Sequence, residues 1–169
     1  MKKNLTLTGM MGVGKSTVGK TLSKRLLMGF SDIDKIIENI LKMSIQEIFE
    51  KKGEIFFRKF EEKITLQETK RKNVVISLGG GAFINSKIRK DILLSSKSFW
   101  LDLDTNLLEK RLIKSKNRPL LNNNNLGASL RKIYKERKST YAIANYRIDC
   151  KKLNVNSITN KIIRLYANS

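Results

Sequence analysis

Short apolar stretches alternate along this chain with segments whose apolar residues recur every three or four positions. Asn4-Leu5-Thr6-Leu7-Thr8 alternates polar and apolar residues and predicts a short strand. Residues 15–27 predict an amphipathic helix, with Val18, Leu22 and Leu26 at i, i+4 and i+8. Met28-Gly29-Phe30-Ser31 predicts a second strand ending at Asp32-Ile33-Asp34. Ile36, Ile37, Ile40 and Leu41 are helix-spaced and predict a helix starting at Asp34. Ser44-Ile45-Gln46-Glu47 reads as a capping box opening a short helix through Ile48 and Phe49, which Gly53 ends. A further helix carries Ile55, Phe56, Phe60 and Ile64. The apolar run over 73–78 suits a strand buried on both faces of a parallel sheet. Asn85-Ser86 caps a basic helix through Leu94, residues 99–103 predict a fourth strand, and residues 105–112 a helix. A helix over 126–144 places Leu130, Ile133, Tyr134 and Arg137 on successive turns. Residues 147–150 predict a fifth strand, and Ile158, Ile162 and Leu165 mark a closing helix. Strands alternating with helices predict an α/β fold, a parallel five-stranded sheet sandwiched between helices. The 169 residues show no internal repeat and no domain-scale linker, so the expectation is a single domain over 1–169.

Between the first strand and its helix stands Gly9-Met10-Met11-Gly12-Val13-Gly14-Lys15-Ser16, followed by Thr17. The spacing fits Gly, four residues, Gly-Lys-Ser/Thr, the phosphate-binding P-loop. A phosphate chain needs several donors converging on one point, so the backbone must curl with its N–H groups inward. Glycine permits that curl and leaves no Cβ in the ligand's way. Lys15 adds a point charge for the β/γ-phosphates, Ser16 offers a hydroxyl to Mg²⁺, and the helix that follows turns its positive end to the phosphates. Lys15 is expected to stand exposed in the empty loop, contributing charge and no packing.

Composition narrows the chemistry. Histidine is absent, which removes imidazole bases, imidazole metal ligands and histidine triads. An acid or base must then be a carboxylate, lysine, tyrosine or thiol. The one cysteine, Cys150, excludes an internal disulfide and a multi-cysteine metal site. No apolar run approaches the ~20 residues of a membrane span. Met1-Lys2-Lys3 leads directly into the first alternation with no apolar leader run, so a cytoplasmic protein is expected. The net charge of +20 is spread along the whole chain and builds no single basic stripe interleaved with aromatics. It reads as compositional bias giving weak, salt-sensitive adhesion to polyanions, without a dedicated nucleic-acid site.

Further features fall at predicted strand ends, on the helices after the second strand and between elements. Asp32 and Asp34 stand where a strand gives way to a helix, so their carboxylates diverge; one can serve a metal and the other a second ligand. Arg58 and Glu61, three apart on a helix, can pair on one face. Residues 34–66 form a helical insertion between two strands, the usual place for a second-substrate pocket in an α/β kinase. Gly79-Gly80-Gly81 ends the apolar strand at the sheet edge where ligands bind in open α/β sheets. Lys114 to Asn125 is polar and irregular, within lid bounds of 113–125, with the sole proline in Arg118-Pro119-Leu120-Leu121 and asparagines from 122 to 125. The stretch reads as a lid.

These motifs, in this order and nearly end to end, resemble the shikimate kinase family of small P-loop kinases. The resemblance rests on residues 9–17, Phe-Ser-Asp-Ile-Asp (30–34), Met-Ser-Ile-Gln-Glu-Ile-Phe (43–49), Gly-Glu-Ile-Phe-Phe-Arg-Lys-Phe-Glu (53–61), Leu-Gly-Gly-Gly (78–81), Arg-Pro-Leu-Leu (118–121) and Arg-Lys-Ser-Thr-Tyr (137–141). It implies a nucleoside-monophosphate-kinase-like P-loop NTPase fold and ATP-dependent phosphorylation of the shikimate 3-hydroxyl in aromatic amino-acid biosynthesis. The rival readings are another small-molecule P-loop kinase, for gluconate or a nucleotide, and a nucleic-acid-binding ATPase. The resemblance further implies that Gly12, Val13, Gly14, Lys15, Ser16 and Thr17 hold ATP, with Ser16 and Asp32 serving Mg²⁺. Asp34 would meet the shikimate hydroxyls as base or orienter. Arg58 and Arg137 would grip the carboxylate, Glu61 would hold Arg58, and Gly80 and Gly81 would line the ring. Lys15, Asp34 and Arg118 would carry catalysis, Arg118 reaching the transferring phosphate from the lid. Arg111 and the region near Lys152 would flank adenine. A monomer is expected. The sequence departs from the family at Lys42, where glycine is usual, at Asn145, where aspartate is common, in the lid's asparagine run, and in the tail after Asp149.

Overall fold

The computed structural model describes residues 3–114 and 125–168. Five parallel strands run in the order β2-β3-β1-β4-β5. They are β1 (Asn4–Thr8), β2 (Gly29–Asp32), β3 (Val74–Ser77), β4 (Ser96–Asp102) and β5 (Tyr146–Asp149). Seven α-helices among the described residues cover the sheet: α1 (Lys15–Leu26), α2 (Ile33–Leu41), α3 (Ile45–Thr69), α4 (Ser86–Ser95), α5 (Thr105–Lys114), α6 (Leu126–Tyr141) and α7 (Val155–Ala167). A short 3-10 turn, Ala82–Ile84, follows the triple glycine and was not foreshadowed by the apolar spacing.

The order explains the site's place. β1 pairs with β3 on one side, Leu5 beside Val75, and with β4 on the other, Leu7 beside Phe99. The loop after β1 therefore lies between the chain segments leaving β3 and β4, at the carboxyl edge of the sheet. Both faces of the central strands are covered, and Val74, Val75 and Ile76 are fully buried. Each such side chain contributes roughly 1.5–3 kcal/mol by leaving water.

Local chemistry sets the helix ends. Asp32 caps α2 and its side chain accepts from the Lys35 amide, so the helix begins one residue earlier than the spacing predicts. Ser44 and Glu47 form the expected reciprocal capping box. Gly53, at φ 81, breaks α3 where the sequence predicts one helix ending and another starting. Lys42 closes α2 at φ 53, a left-handed conformation that favours glycine, the residue usual there in the family. Asn145 joins β4 through its side-chain oxygen, which accepts from the Ser98 amide and hydroxyl, both at 2.9 Å. An aspartate would accept the same two bonds.

The face of α3 differs from expectation. Phe57, Glu61 and Ile64 point inward, while Ile55 and Phe56 are exposed. A charged residue thus occupies a line of the helix that the apolar pattern reserves for core.

Candidate functional site

Two loops meet at the carboxyl edge of the sheet. The first, between β1 and α1, contains Gly9, Gly12 and Gly14 at φ 134, 77 and 101. At Gly9 a Cβ would stand 2.4 Å from the Leu101 carbonyl oxygen, so both conformation and space demand glycine there. Val13 is buried, and its carbonyl accepts from Arg111 Nη1 at 3.2 Å. Gly14 caps α1, and Thr17 lies exposed on the helix's first turn. Lys15 corrects an expectation. It is buried, 8% exposed, and its ammonium donates to the carbonyls of Gly9 at 2.8 Å and Met10 at 2.9 Å. A curled loop gathers carbonyl oxygens as well as amides, and an ammonium with three donors satisfies them.

The two aspartates diverge as their spacing suggests. Ser16 Oγ donates to Asp32 Oδ2 at 2.5 Å, beside the phosphate loop. Asp34, in the first turn of α2, lies instead against the triple-glycine turn, where a Cβ at Gly79 would stand 2.7 Å from Asp34 Oδ1.

That second turn explains why three glycines follow β3. The same Gly79 Cβ would stand 2.6 Å from Glu61 Oε1, and a Cβ at Gly81 would stand 2.6 Å from Arg58 Nη1. The Gly80 carbonyl accepts from Arg137 Nη1 at 3.0 Å and from the Tyr141 hydroxyl. A Cβ at Gly80 would meet the Met11 amide at 3.4 Å, so this turn also abuts the phosphate loop. In the sequence, Gly79 stands out only as part of the triple glycine and Tyr141 only as the end of the 137–141 motif, neither with a role of its own.

Arg58 sits between two acids. Its Nη1 donates to Glu61 Oε2 at 2.8 Å, and its Nε and Nη2 reach Glu54 Oε1, each at 3.3 Å. The guanidinium carbon lies 5.2 Å from the Phe57 ring centre and 5.8 Å from that of Phe49. Stacking and pairing together restrict its long side chain. Burial pushes the Glu61 carboxyl above its usual range, and neighbouring Asp34 adds to the rise; Arg58 and Arg137 oppose it without cancelling it. Glu61 Oε1 is buried and has no hydrogen-bond partner among the described residues.

A further polar group stands where β4 ends. Tyr134 of α6 donates its hydroxyl to Asp102 Oδ1 at 3.0 Å, while Arg147 of β5 binds Asp102 Oδ2 through Nε at 2.8 Å and Nη2 at 2.6 Å. Burial and the Asp102 carboxylate push the Tyr134 phenol up to about 12. The sequence gives no sign of this group, because 32 residues separate Tyr134 from Asp102.

The structure thus gathers the loop residues 9–17, Asp32, Asp34, Arg58, Glu61, Gly80, Gly81, Arg111 and Arg137 along one edge of the sheet. Arg118 and most of the expected 113–125 lid lie outside the described residues. Lys152 is exposed in the turn after β5. Among the described residues, no helix is long and apolar enough to cross a membrane.

Comparison with known proteins agrees with this arrangement. A family model described as shikimate kinase matches residues 11–167. A curated shikimate kinase from Bartonella henselae is 39% identical over 95% of this chain and 76% of its own length. One from Sulfurihydrogenibium sp. is 38% identical over 95% of this chain and 96% of its own. The solved structure of shikimate kinase from Acinetobacter baumannii in complex with shikimate superposes with a TM-score of 0.94 at 34% identity, covering 99% of this chain and 94% of that one. The chain belongs to the shikimate kinase family.

Proposed function

We propose that this protein transfers the γ-phosphoryl group of ATP to the 3-hydroxyl of shikimate. The observation that carries the reading is the Gly79-Gly80-Gly81 turn, which meets Asp34 and Glu61, Arg58 and Arg137, and the Met11 amide of the phosphate loop. An acceptor bound there would have a carboxylate near two guanidinium groups and hydroxyls near a carboxylate. The phosphate loop would be its next neighbour.

On this reading Gly12, Val13, Gly14, Lys15, Ser16 and Thr17 bind the ATP phosphates, and Lys15 exchanges its loop carbonyls for phosphate oxygens. Asp34 orients the attacking hydroxyl and accepts its proton. Arg58 and Arg137 bind the carboxylate with planar N–H forks, Glu61 holds Arg58 through Nη1, and the exposed Glu54 yields Nε and Nη2 to the acceptor. Gly80 and Gly81 let the ring approach the backbone. Arg111, fixed on Val13, flanks adenine together with the region near Lys152. Arg118, assigned from the sequence alone, approaches the transferring phosphoryl group from a lid over 113–125, and residues 34–66 form the acceptor-binding insertion of the single domain 1–169.

The Ser16 hydroxyl and Asp32 carboxylate, in contact beside the loop, are an oxygen-only donor pair that suits Mg²⁺, an ion that keeps several waters and binds through few protein oxygens. Ser16 would hold the ion directly and Asp32 through water; when bound, it neutralises charge on the phosphate oxygens. The protein is read as cytoplasmic, in line with ATP as co-substrate, and as a monomer.

A coupled ADP-release assay with shikimate, gluconate, nucleoside monophosphates and single-stranded DNA tests the reading. Shikimate alone is expected to stimulate ADP release. Stimulation by gluconate or a nucleotide would assign another acceptor, and DNA stimulation that collapses with salt would point to a nucleic-acid ATPase.

A further inference from the structure

We propose that Tyr134 and Asp102 form a latch that fixes the position of Arg137, so that both residues govern acceptor affinity without binding the acceptor. The proposal rests on the reading of Arg137 as a carboxylate ligand. Tyr134, Arg137 and Tyr141 stand at i, i+3 and i+7 and share one face of α6. At one end of that face the Tyr134 hydroxyl donates to Asp102 Oδ1 at 3.0 Å. At the other, Arg137 Nη1 and the Tyr141 hydroxyl both donate to the Gly80 carbonyl. The helix is therefore tied to the ends of β4 and β3, the two strands that flank β1 and its phosphate loop.

Asp102 is a firm anchor. Its side chain is only 7% exposed, its second oxygen is held by Arg147, and its own carbonyl accepts the Cys150 amide at 2.8 Å. The Arg147 guanidinium lies 5.1 Å from the centre of the Trp100 ring, and that ring packs 6.0 Å from the ring of Tyr141. The group thus closes on itself: Tyr134 to Asp102, Asp102 to Arg147, Arg147 over Trp100, and Trp100 against Tyr141. Tyr134 stays a hydrogen-bond donor at working pH because its proton is held well above neutrality. Arg137 lies inside this frame, one turn from Tyr134 and one turn from Tyr141. A planar guanidinium reads a carboxylate only when its fork is correctly aimed, so loosening the helix at Tyr134 should blunt Arg137 first.

Tyr134→Phe keeps the ring and removes the donor. Steady-state kinetics with both substrates, alongside thermal unfolding, should show KM for shikimate raised about three- to ten-fold, with kcat and KM for ATP within about two-fold of the parent. In an Arg137→Ala background the same substitution should add nothing, because the phenol acts through Arg137. Asp102→Asn should repeat the pattern. An unchanged shikimate KM in Tyr134→Phe overturns the latch, and so does an equal further rise in the Arg137→Ala background. If Arg137→Ala alone leaves shikimate KM unchanged, the site reading fails and takes the latch with it. If Arg137→Ala raises KM and Tyr134→Phe does not, the latch alone is removed.

Discussion

Arg58 Nη1 lies 2.8 Å from Glu61 Oε2, one turn further along α3, and the Glu61 side chain is 2% exposed while that of Arg58 is 33% exposed. The buried acid therefore holds the more open base. Replacing Glu61 with Gln keeps the volume and removes the charge that positions Arg58. KM for shikimate should rise roughly ten-fold, the worth of a weakened hydrogen bond to a charged group. The stability effect depends on pH. Burial raises the folded carboxyl above its ordinary value of 4.5, so the folded state favours the proton. That contribution is fully present below 4.5 and is lost as pH climbs through the folded value. Urea unfolding of parent and variant at about pH 4 and about pH 8 should show the parent losing ground to the variant at the higher pH. A gap independent of pH would mean that Glu61 titrates as an ordinary surface acid.

Lys15 contributes to both chemistry and loop structure, since its ammonium satisfies the carbonyls of Gly9 and Met10. Lys15→Ala should lower kcat by about 10²–10³-fold or more, as loss of a donor aimed at developing charge does. It should also cost about 1–2 kcal/mol of stability through the two abandoned carbonyls. Coupled kinetics and thermal unfolding check both parts. Near-parental turnover would remove Lys15 from phosphoryl transfer.

The two aspartates should separate cleanly. Asp34→Asn is expected to reduce kcat by ~10²–10⁴-fold with KM for ATP little changed, because only the acceptor hydroxyl loses its carboxylate. Asp32→Asn keeps a good cap for α2, so stability should hold while the Mg²⁺ concentration needed for half-maximal rate increases. Titrating Mg²⁺ against rate for both variants decides the assignment. A shifted Mg²⁺ dependence confined to Asp34→Asn would exchange the roles.

The sequence makes the sheet and helices legible because one-sided burial spaces Val18 and Leu22 along α1, while burial on both faces makes Val74 to Ile76 a continuous apolar run. It also makes the break at Gly53 and the divergence of Asp32 from Asp34 legible, because both follow from local backbone rules. Other features depend on contacts between distant segments. Ile55 and Phe56 belong to the apolar set that marks the helix, yet they are exposed and the inward line of α3 runs through Phe57 and Glu61. Gly79 looks like its two neighbours until Asp34 and Glu61 close on it. The buried Lys15 depends on where the loop's carbonyls converge. Tyr134 and Asp102 meet only when α6 crosses the end of β4.

The central claim is that two arginines from separate elements read a carboxylate on the acceptor, and Arg137→Lys tests it most directly. Lysine keeps the charge and loses the fork, so KM for shikimate should rise roughly ten- to a hundred-fold, with KM for ATP nearly unchanged. The measurement is coupled ADP release by parent and variant with shikimate and with its methyl ester. The account predicts that the parent strongly prefers the acid and that the variant discriminates less. Normal shikimate KM in the variant, or equal use of acid and ester by the parent, would contradict it and direct the search to uncharged polyols.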